Sequence, residues 1–209
     1  MYHGMRASDR AAFERQLRRL RAYADLVSLS DALAVLADPQ AGVRCVALTF
    51  DDGRQDALDH AVPILAARGI PAAFFVVPQW IGTGRPGTFG WHECRSLAAA
   101  GFEVGSHSLT HARLAALPDD QAWHEVSASR ARIEAELGRE CRHFACPWGQ
   151  PDEDYRPGRD PGLARRAEYR SFLTTVGRQA RPGADPFQLP RVRMEPHWGA
   201  AEIRYAVRR

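Results

Sequence analysis

The sequence predicts an α/β fold in which helices pack outside a parallel sheet. From residue 45 onward, short apolar segments of strand length alternate with segments of helical periodicity, which favours parallel β–α units. The 209 residues, 45% hydrophobic and 25% charged, suffice for one well-filled core. We therefore expect a single domain over 1–209, with a helical N-terminal segment at 1–42. Alternation alone does not distinguish an open sheet from a barrel.

Local signals place each element in order. Ser8 and Ser30 are the expected N-caps of the first two helices, and Phe13 lies on the apolar face of the first. The expected elements are helix 9–24, strand 26–29, helix 31–37, strand 45–50, helix 56–68, strand 72–77, helix 91–100, strand 102–106, helix 118–137 and strand 143–146. Gly82 to Gly90 is expected to be a loop over the rim of the site.

Two adjacent carboxylates end the first strand of the repeating pattern. The apolar run from Cys45 to Phe50 leads directly into Asp51, Asp52 and Gly53. Functional groups in such sheets collect where strands end, and Gly53 lets the backbone turn so that the two acids face different ways. One acid can then bind a cation while the other acts as a base. A solvated turn is the alternative interpretation of this tripeptide.

Two histidines follow a later predicted strand. His107 and His111 lie four positions apart. On a helical turn this spacing would place both imidazoles on one face, within reach of one metal ion. Two histidines and Asp52 would make three ligands and leave positions open for water and substrate, as in catalytic sites. A pair of surface or core polar residues is the alternative.

The chain resembles the polysaccharide deacetylase superfamily (NodB type, carbohydrate esterase family four). The resemblance rests on T-F-D-D-G at 49–53, S-H-S-L-T-H at 106–111 and F-A-C-P-W-G at 144–149. It extends from about Phe13 to Met194. It implies a distorted, incomplete (β/α) barrel, which would place a catalytic barrel at 43–209.

The resemblance also implies roles for the motif residues. Asp52, His107 and His111 would bind one divalent metal. Zn²⁺ is the expected ion, and this ligand set also accepts Co²⁺ or Ni²⁺. Asp51 would be the general base. The Trp148 backbone N–H would stabilise the oxyanion.

Aromatic residues near these motifs are candidates for sugar contacts. Trp148 and Pro147 in the third motif, and Trp80 beside the glycine-rich loop, would offer flat apolar surfaces to a substrate. Core packing is the alternative for both tryptophans.

Two positions depart from the family pattern. Ala145 stands where many members have an arginine that orients the base, and Arg191 is the candidate to reach Asp51 from another strand. The late histidine of the family has no match at 189–193. His197 is the nearest candidate for the general acid, with a surface or loop position as the alternative.

Composition excludes some classes of binding partner and indicates the cellular compartment. The net charge of +3 comes from scattered arginines, and without a basic stripe or a known module we expect no nucleic-acid binding. The four cysteines lack C-x-x-C spacing and are expected to be buried thiols, although a Cys141–Cys146 pair stays open. No stretch has the length and hydrophobicity of a membrane span or of a secretory signal, so we expect a cytoplasmic protein unless a leader has been removed.

The expected function is metal-dependent hydrolysis of the N-acetyl amide of an amino sugar, in a glycan or a sugar precursor, with release of acetate. The alternatives are hydrolysis of a non-sugar amide, such as a cyclic imide or ureide, and a carbohydrate-binding relative without turnover.

His143 and Glu103 are expected to be surface or solvated groups.

Overall fold

One parallel sheet of five strands forms the centre of the molecule. This computed structural model describes residues 1–38, 40 and 42–206. The strands are β1 (Asp25–Val27), β2 (Cys45–Ala47), β3 (Thr49–Phe50), β4 (Ala73–Val76), β5 (Glu103–Ser106), β6 (His143–Ala145) and β7 (Ser171–Leu173). Strands β3 to β7 pair in sequence order, each parallel to the next. The sheet curls into a half-barrel, which confirms the expected incomplete (β/α) barrel.

Extended residues continue the half-barrel at both edges. Tyr2 forms a parallel bridge with Phe50 of β3, and Leu189 forms one with Leu173 of β7. Tyr2 therefore adds a single bridge to this edge of the sheet. These bridges carry the neighbouring residues of both segments toward the end of β3.

Eight helices of the described chain surround the sheet. They are α1 (Arg10–Arg21), α2 (Leu29–Ala37), α3 (Gln55–His60), α4 (Val62–Ala67), α5 (Trp91–Ala99), α6 (Asp119–Leu137), α7 (Asp160–Arg166) and α8 (Ala200–Ala206). The single helix expected at 56–68 is in fact two, α3 and α4, because Pro63 in the first turn of α4 has no N–H to continue the helical hydrogen bonds.

The first two helix starts differ from the expected ones. A 3-10 turn at Ala7–Asp9 precedes α1, so Ser8 is not its N-cap. Ser28, and not Ser30, caps α2, since its hydroxyl accepts the Asp31 backbone N–H. The second difference arises because Ser28 and Ser30 both have side chains that are able to cap, and the helix begins after the first of them.

The apolar run at 45–50 is also divided. Strand β2 pairs with β1 in a separate two-stranded sheet, whereas β3 pairs with β4. The chain changes partner at Leu48, which is buried between the two. A continuous apolar pattern does not report such a change of partner, because the residues of both strands are mostly apolar.

The hydrophobic core has two layers that are separated by the sheet. Phe50 and Phe74 stack at 4.9 Å between their ring centroids in the layer that the helices cover. Phe75, the next residue, belongs to the other cluster with Ala73 and Leu189, because neighbouring strand residues face opposite sides. Gly105 permits this inner packing, since a Cβ there would lie 2.5 Å from Cε1 of Phe75.

A polar cluster lies at the N-terminal ends of β5 and β6. His143 is 2% exposed, and its Nδ1 lies 2.8 Å from the hydroxyl of Ser171. Its Nε2 lies 3.1 Å from the Ser30 hydroxyl and 3.4 Å from Glu103. Glu103 also accepts the Leu29 and Ser30 backbone N–H groups at the start of α2. The expectation of surface positions was wrong, because the side chains meet between α2 and the sheet.

Other whole-chain expectations have mixed outcomes. All four cysteines are free, and Cys94, Cys141 and Cys146 are buried. No helix in the described residues is long and apolar enough to cross a membrane. The division at residue 42 stays a prediction, and positions 39, 41 and 207–209, which the predicted 1–209 domain includes, lie outside the described residues.

Candidate active site

The two adjacent acids separate at the end of β3. Asp51 is 2% exposed and directly follows the strand, whereas Asp52 has a φ of +73°. Gly53 continues the turn with a φ of +61°, and a Cβ there would lie 2.8 Å from Cδ1 of Ile81. This sharp turn sends the two carboxylates to different partners.

Asp52, His107 and His111 converge on one point. The Asp52 Oδ1 atom lies 3.5 Å from the His107 Nε2 and 3.4 Å from the His111 Nε2. The three candidate ligand atoms all lie within 4.8 Å of one another. Such a set of two imidazoles and one carboxylate suits a divalent cation with open coordination positions.

The hydrogen bonds of His107 fit a metal ligand. Its Nδ1 lies 2.8 Å from the backbone carbonyl of Ala145, and a carbonyl can only accept, so this nitrogen carries the proton. Burial lowers the pKa of His107 to about 4, which keeps the ring neutral at pH 7. The Nε2 lone pair then faces the Asp52 carboxylate. The lone pairs of the imidazole nitrogen and the carboxylate oxygen repel each other, and a cation between them would remove this repulsion.

The histidines do not lie on a helical turn, so that part of the prediction was wrong. The residues from His107 to His111 form an irregular turn after β5, in which Ser108 has a φ of +61° and His111 a φ of +66°. The Ser108 hydroxyl accepts the His111 backbone N–H at 3.0 Å. The imidazoles meet because the chain reverses, not because a helix repeats.

Asp51 is paired with Arg191. The guanidinium donates to both carboxylate oxygens, at 2.7 and 2.8 Å, and is itself only 7% exposed. Its Nε donates to the Thr174 carbonyl, which fixes its orientation. Burial alone would raise the pKa of Asp51, but the Arg191 charge, with His107 and the hydrogen bonds, lowers it to about 2.

Arg191 is thus the arginine that contacts Asp51 in this chain. The sequence identified it as a candidate, and the structure brings it to Asp51 because the segment after β7 runs along the open edge of the half-barrel. Ala145 itself is fully buried and contributes its carbonyl to His107. Whether Arg191 supports turnover stays a prediction.

Trp148 lies at the surface of the site. It is 43% exposed, and its ring centroid lies 4.4 Å from that of His111. Its φ is +55°, and in the described chain its backbone N–H donates to no protein acceptor. The neighbouring Pro147 is buried. The exposed ring and unpaired N–H are therefore both available to a substrate.

Trp80 is half-buried beside the same histidine. Its ring centroid lies 4.7 Å from the His111 ring, and the Arg85 guanidinium lies 3.6 Å from the Trp80 ring centroid. Much of the indole surface is therefore covered by protein groups. Trp80 supports His111 directly, and its use as a sugar surface stays a prediction.

The structure places His197 and His3 differently. His197 is exposed in a turn after Met194, and no hydrogen bond or ion pair of the described residues joins it to the site. His3 is half-buried, and its electrostatic interaction lowers the pKa values of both Asp51 and Asp52. This effect is smaller than those of burial and of the nearer groups. The backbone hydrogen bonds of Tyr2 to Thr49 and Asp51 hold the neighbouring His3 there.

Backbone strain is concentrated at these residues. Four of the six non-glycine residues with positive φ in the described chain are Asp52, Ser108, His111 and Trp148. Each such conformation costs on the order of 1–3 kcal/mol and persists only where surrounding structure imposes it. Their coincidence supports a functional site at this end of the half-barrel.

Known proteins are similar to this chain in sequence. The polysaccharide deacetylase family profile matches residues 38–160, more than half of the chain. A chitooligosaccharide deacetylase of Bradyrhizobium sp. (strain ANU 289) is 34% identical over 114 residues, which are 52% of this chain and 48% of that protein. The chain thus spans about half the length of that relative.

Two solved structures share the whole fold. The Streptococcus pyogenes deacetylase PplD, determined in complex with acetate, has a TM-score of 0.85 at 21% identity, covering 99% of this chain and 96% of that one. IcaB from Ammonifex degensii has a TM-score of 0.83 at 25% identity, covering 99% and 94%. With its profile match, its half-barrel and its two motif loops together, this chain belongs to the polysaccharide deacetylase family.

Proposed function

We propose that the chain is a metal-dependent hydrolase that removes the acetyl group from the nitrogen of an amino sugar. The observation that carries the proposal is the convergence of Asp52, His107 and His111 beside a separate, ionised Asp51. Family membership supports deacetylation of a sugar, and the relative from Bradyrhizobium supports a chito-oligosaccharide as the substrate. A divalent ion on the three ligands would polarise the amide carbonyl and lower the pKa of a bound water.

Asp51 is suited to accept the proton of the attacking water. Its pKa of about 2 keeps it ionised at neutral pH, and Arg191 holds both carboxylate oxygens in place. The pairing makes it a weaker base than an unpaired carboxylate but fixes its direction. Positioned proton transfer of this kind contributes roughly 10²–10⁴-fold to rate.

Trp148 can stabilise the negative charge that develops on the amide oxygen. Its backbone N–H has no protein acceptor in the described chain, and the left-handed turn at Trp148 and Gly149 sets its direction. The Thr175 hydroxyl donates to the Trp148 carbonyl and so stabilises this turn. A donor fixed in advance costs no reorganisation during the reaction.

His3 is the better candidate for the proton donor to the departing amine. It lies near both aspartates, whereas His197 has no described contact with them. An imidazole can donate a proton near neutral pH, which an amine leaving group requires. His3→Gln should therefore lower kcat while leaving metal affinity unchanged.

Acetate release from N-acetylglucosamine oligomers tests the proposal. The protein is stripped with chelator and then assayed alone and with zinc, cobalt or nickel, beside an Asp52→Ala variant. We expect acetate only from wild-type protein with metal. Metal binding without acetate from any acetylated sugar would contradict the proposal, and ring opening of a cyclic imide under the same conditions would favour the non-sugar amidohydrolase.

A further inference from the structure

The buried carboxylate of Glu125 binds Thr110, the residue that precedes the candidate metal ligand His111. Glu125 lies in the second turn of α6 and is 6% exposed. Its Oε2 accepts the Thr110 backbone N–H at 2.9 Å, and its Oε1 accepts the Thr110 hydroxyl at 2.7 Å. Both carboxylate oxygens are thus used on one residue, and that residue is bonded directly to His111.

This turn requires external restraint. His111 and Ser108 both have left-handed backbone conformations, which cost an L-residue roughly 1–2 kcal/mol each. The Leu109 carbonyl accepts the Gln79 N–H at 3.0 Å, which holds the middle of the turn. The Glu125 carboxylate holds its far end, next to the imidazole that must face Asp52.

The charge of Glu125 has no basic partner among the residues described. A buried carboxylate without a cation is costly unless hydrogen bonds or a nearby positive charge compensate it. Thr110 supplies the hydrogen bonds. A cation held by His111 would supply a positive charge one residue away.

We propose that Glu125 is a positioning residue, which acts through Thr110 to set the orientation of His111 for metal binding. The inference rests on the proposed metal-dependent function. Loss of groups that orient metal ligands typically costs 10–100-fold in metal affinity. Helix α6 also has a hydrogen bond to the sheet that does not involve Glu125, since the Ser106 hydroxyl donates to the Ser129 hydroxyl at 2.7 Å.

The test compares zinc affinities of purified variants by competition with a chromogenic chelator. In Glu125→Leu the side chain keeps a similar size but offers no acceptor to either Thr110 donor, so both hydrogen bonds are lost. We expect zinc to bind about 10–100-fold more weakly. Acetate release should recover at saturating zinc, because the chemistry of the site is unchanged.

Glu134→Leu is the matched control on the same helix. Glu134 accepts the Cys141 N–H at 3.0 Å, remote from the metal-binding turn. This variant should lower the melting temperature but leave zinc affinity unchanged, so it separates a general effect on α6 from an effect on His111.

Thr110→Val provides the same comparison from the other partner. It removes the hydroxyl bond without altering α6, and Thr110→Ser should restore wild-type affinity. Wild-type zinc affinity in both Glu125→Leu and Thr110→Val would overturn the inference while leaving the proposed function intact. A wild-type protein that binds no divalent metal would overturn both.

Discussion

The two ends of the half-barrel each bring an imidazole close to a carboxylate. At the C-terminal end, Nε2 of His107 lies 3.5 Å from Asp52. At the N-terminal end, Nε2 of His143 lies 3.4 Å from Glu103. Strand β5 contributes to both pairs, with Glu103 as its first residue and His107 just after its last, so one strand supports a candidate metal centre at one end and a structural cluster at the other.

The difference lies in what occupies the space between the charged groups. The Ser30 hydroxyl bridges Glu103 and His143, and Ser171 satisfies the other ring nitrogen. His107 uses its one proton on a backbone carbonyl and presents a lone pair to Asp52. A pair that is satisfied by protein groups stabilises the fold, whereas a pair that lacks a proton between its members is ready for a cation.

Removal of the metal ligand at one end should have the largest effect. Asp52→Ala should reduce acetate release to background and abolish zinc binding, with secondary structure retained in circular dichroism. Glu103→Ala at the other end should leave acetate release and zinc binding unchanged per folded molecule. Equal loss of zinc binding in the two variants would contradict the functional difference between the ends.

Asp51 should contribute most to turnover without contributing to binding of the metal. Asp51→Asn is expected to lower kcat by about 10²–10⁴-fold, because the base is lost while the ligand set remains. Steady-state kinetics and zinc titration on one preparation measure both quantities. Asp56→Asn, which alters an exposed ion pair with Arg54, is the control and should leave kcat unchanged.

Arg191 should affect stability strongly as well as turnover. Arg191→Gln leaves the Asp51 charge buried without its partner, which should lower the free energy of unfolding by about 3–5 kcal/mol. Urea denaturation of the metal-free protein measures this. An unchanged midpoint would show that water or rearrangement compensates Asp51 in the variant.

At the opposite end, the effect should be on stability alone. Ser171→Ala removes the hydroxyl partner of the buried His143 Nδ1 and should cost about 1–3 kcal/mol in unfolding free energy. Specific activity of the folded protein should stay at the wild-type value. A lower kcat at unchanged zinc occupancy would mean that the two ends are coupled.

The smallest expected effect is the contribution of Glu103 and Asp51 to the loss of stability in acid. The pKa of Glu103 is lowered to about 2, since hydrogen bonds from His143 and Ser30 outweigh burial, and that of Asp51 is also about 2. Both groups therefore add stability above their ordinary pKa values near 4, and this stability is lost as the pH falls toward 2. Urea midpoints of metal-free protein between pH 5 and pH 2 should decline less steeply in Glu103→Gln. An identical decline would exclude Glu103 as a contributor.

Local sequence predicted much of the fold but not its exceptions. The alternation of strands and helices identified the strands at 72–77, 102–106 and 143–146 to within a residue or two. The run at 45–50 was divided because two partners compete for it, and partner choice is not visible in hydrophobicity. His143 and Glu103 were misplaced because their burial depends on Ser30, which is distant in sequence.

The site shows the same division. The acids at 51–52 and the histidines at 107 and 111 stand out by residue type and spacing, and the resemblance assigned them roles that stay predictions until tested. Glu125 carried no signal, because a glutamate in a helix normally faces solvent. His3 was overlooked because a histidine next to a short strand is common.

The sequence by itself determined the order of strands and helices, the side chains at the strand ends and the family to which they belong. The tertiary structure decided which of these groups meet: Arg191 with Asp51, Glu125 with Thr110, and two imidazoles across a reversed turn. The physical reason is that strand and helix patterns are local. Pairing of buried charges depends on which distant segments the closing of the half-barrel brings into contact.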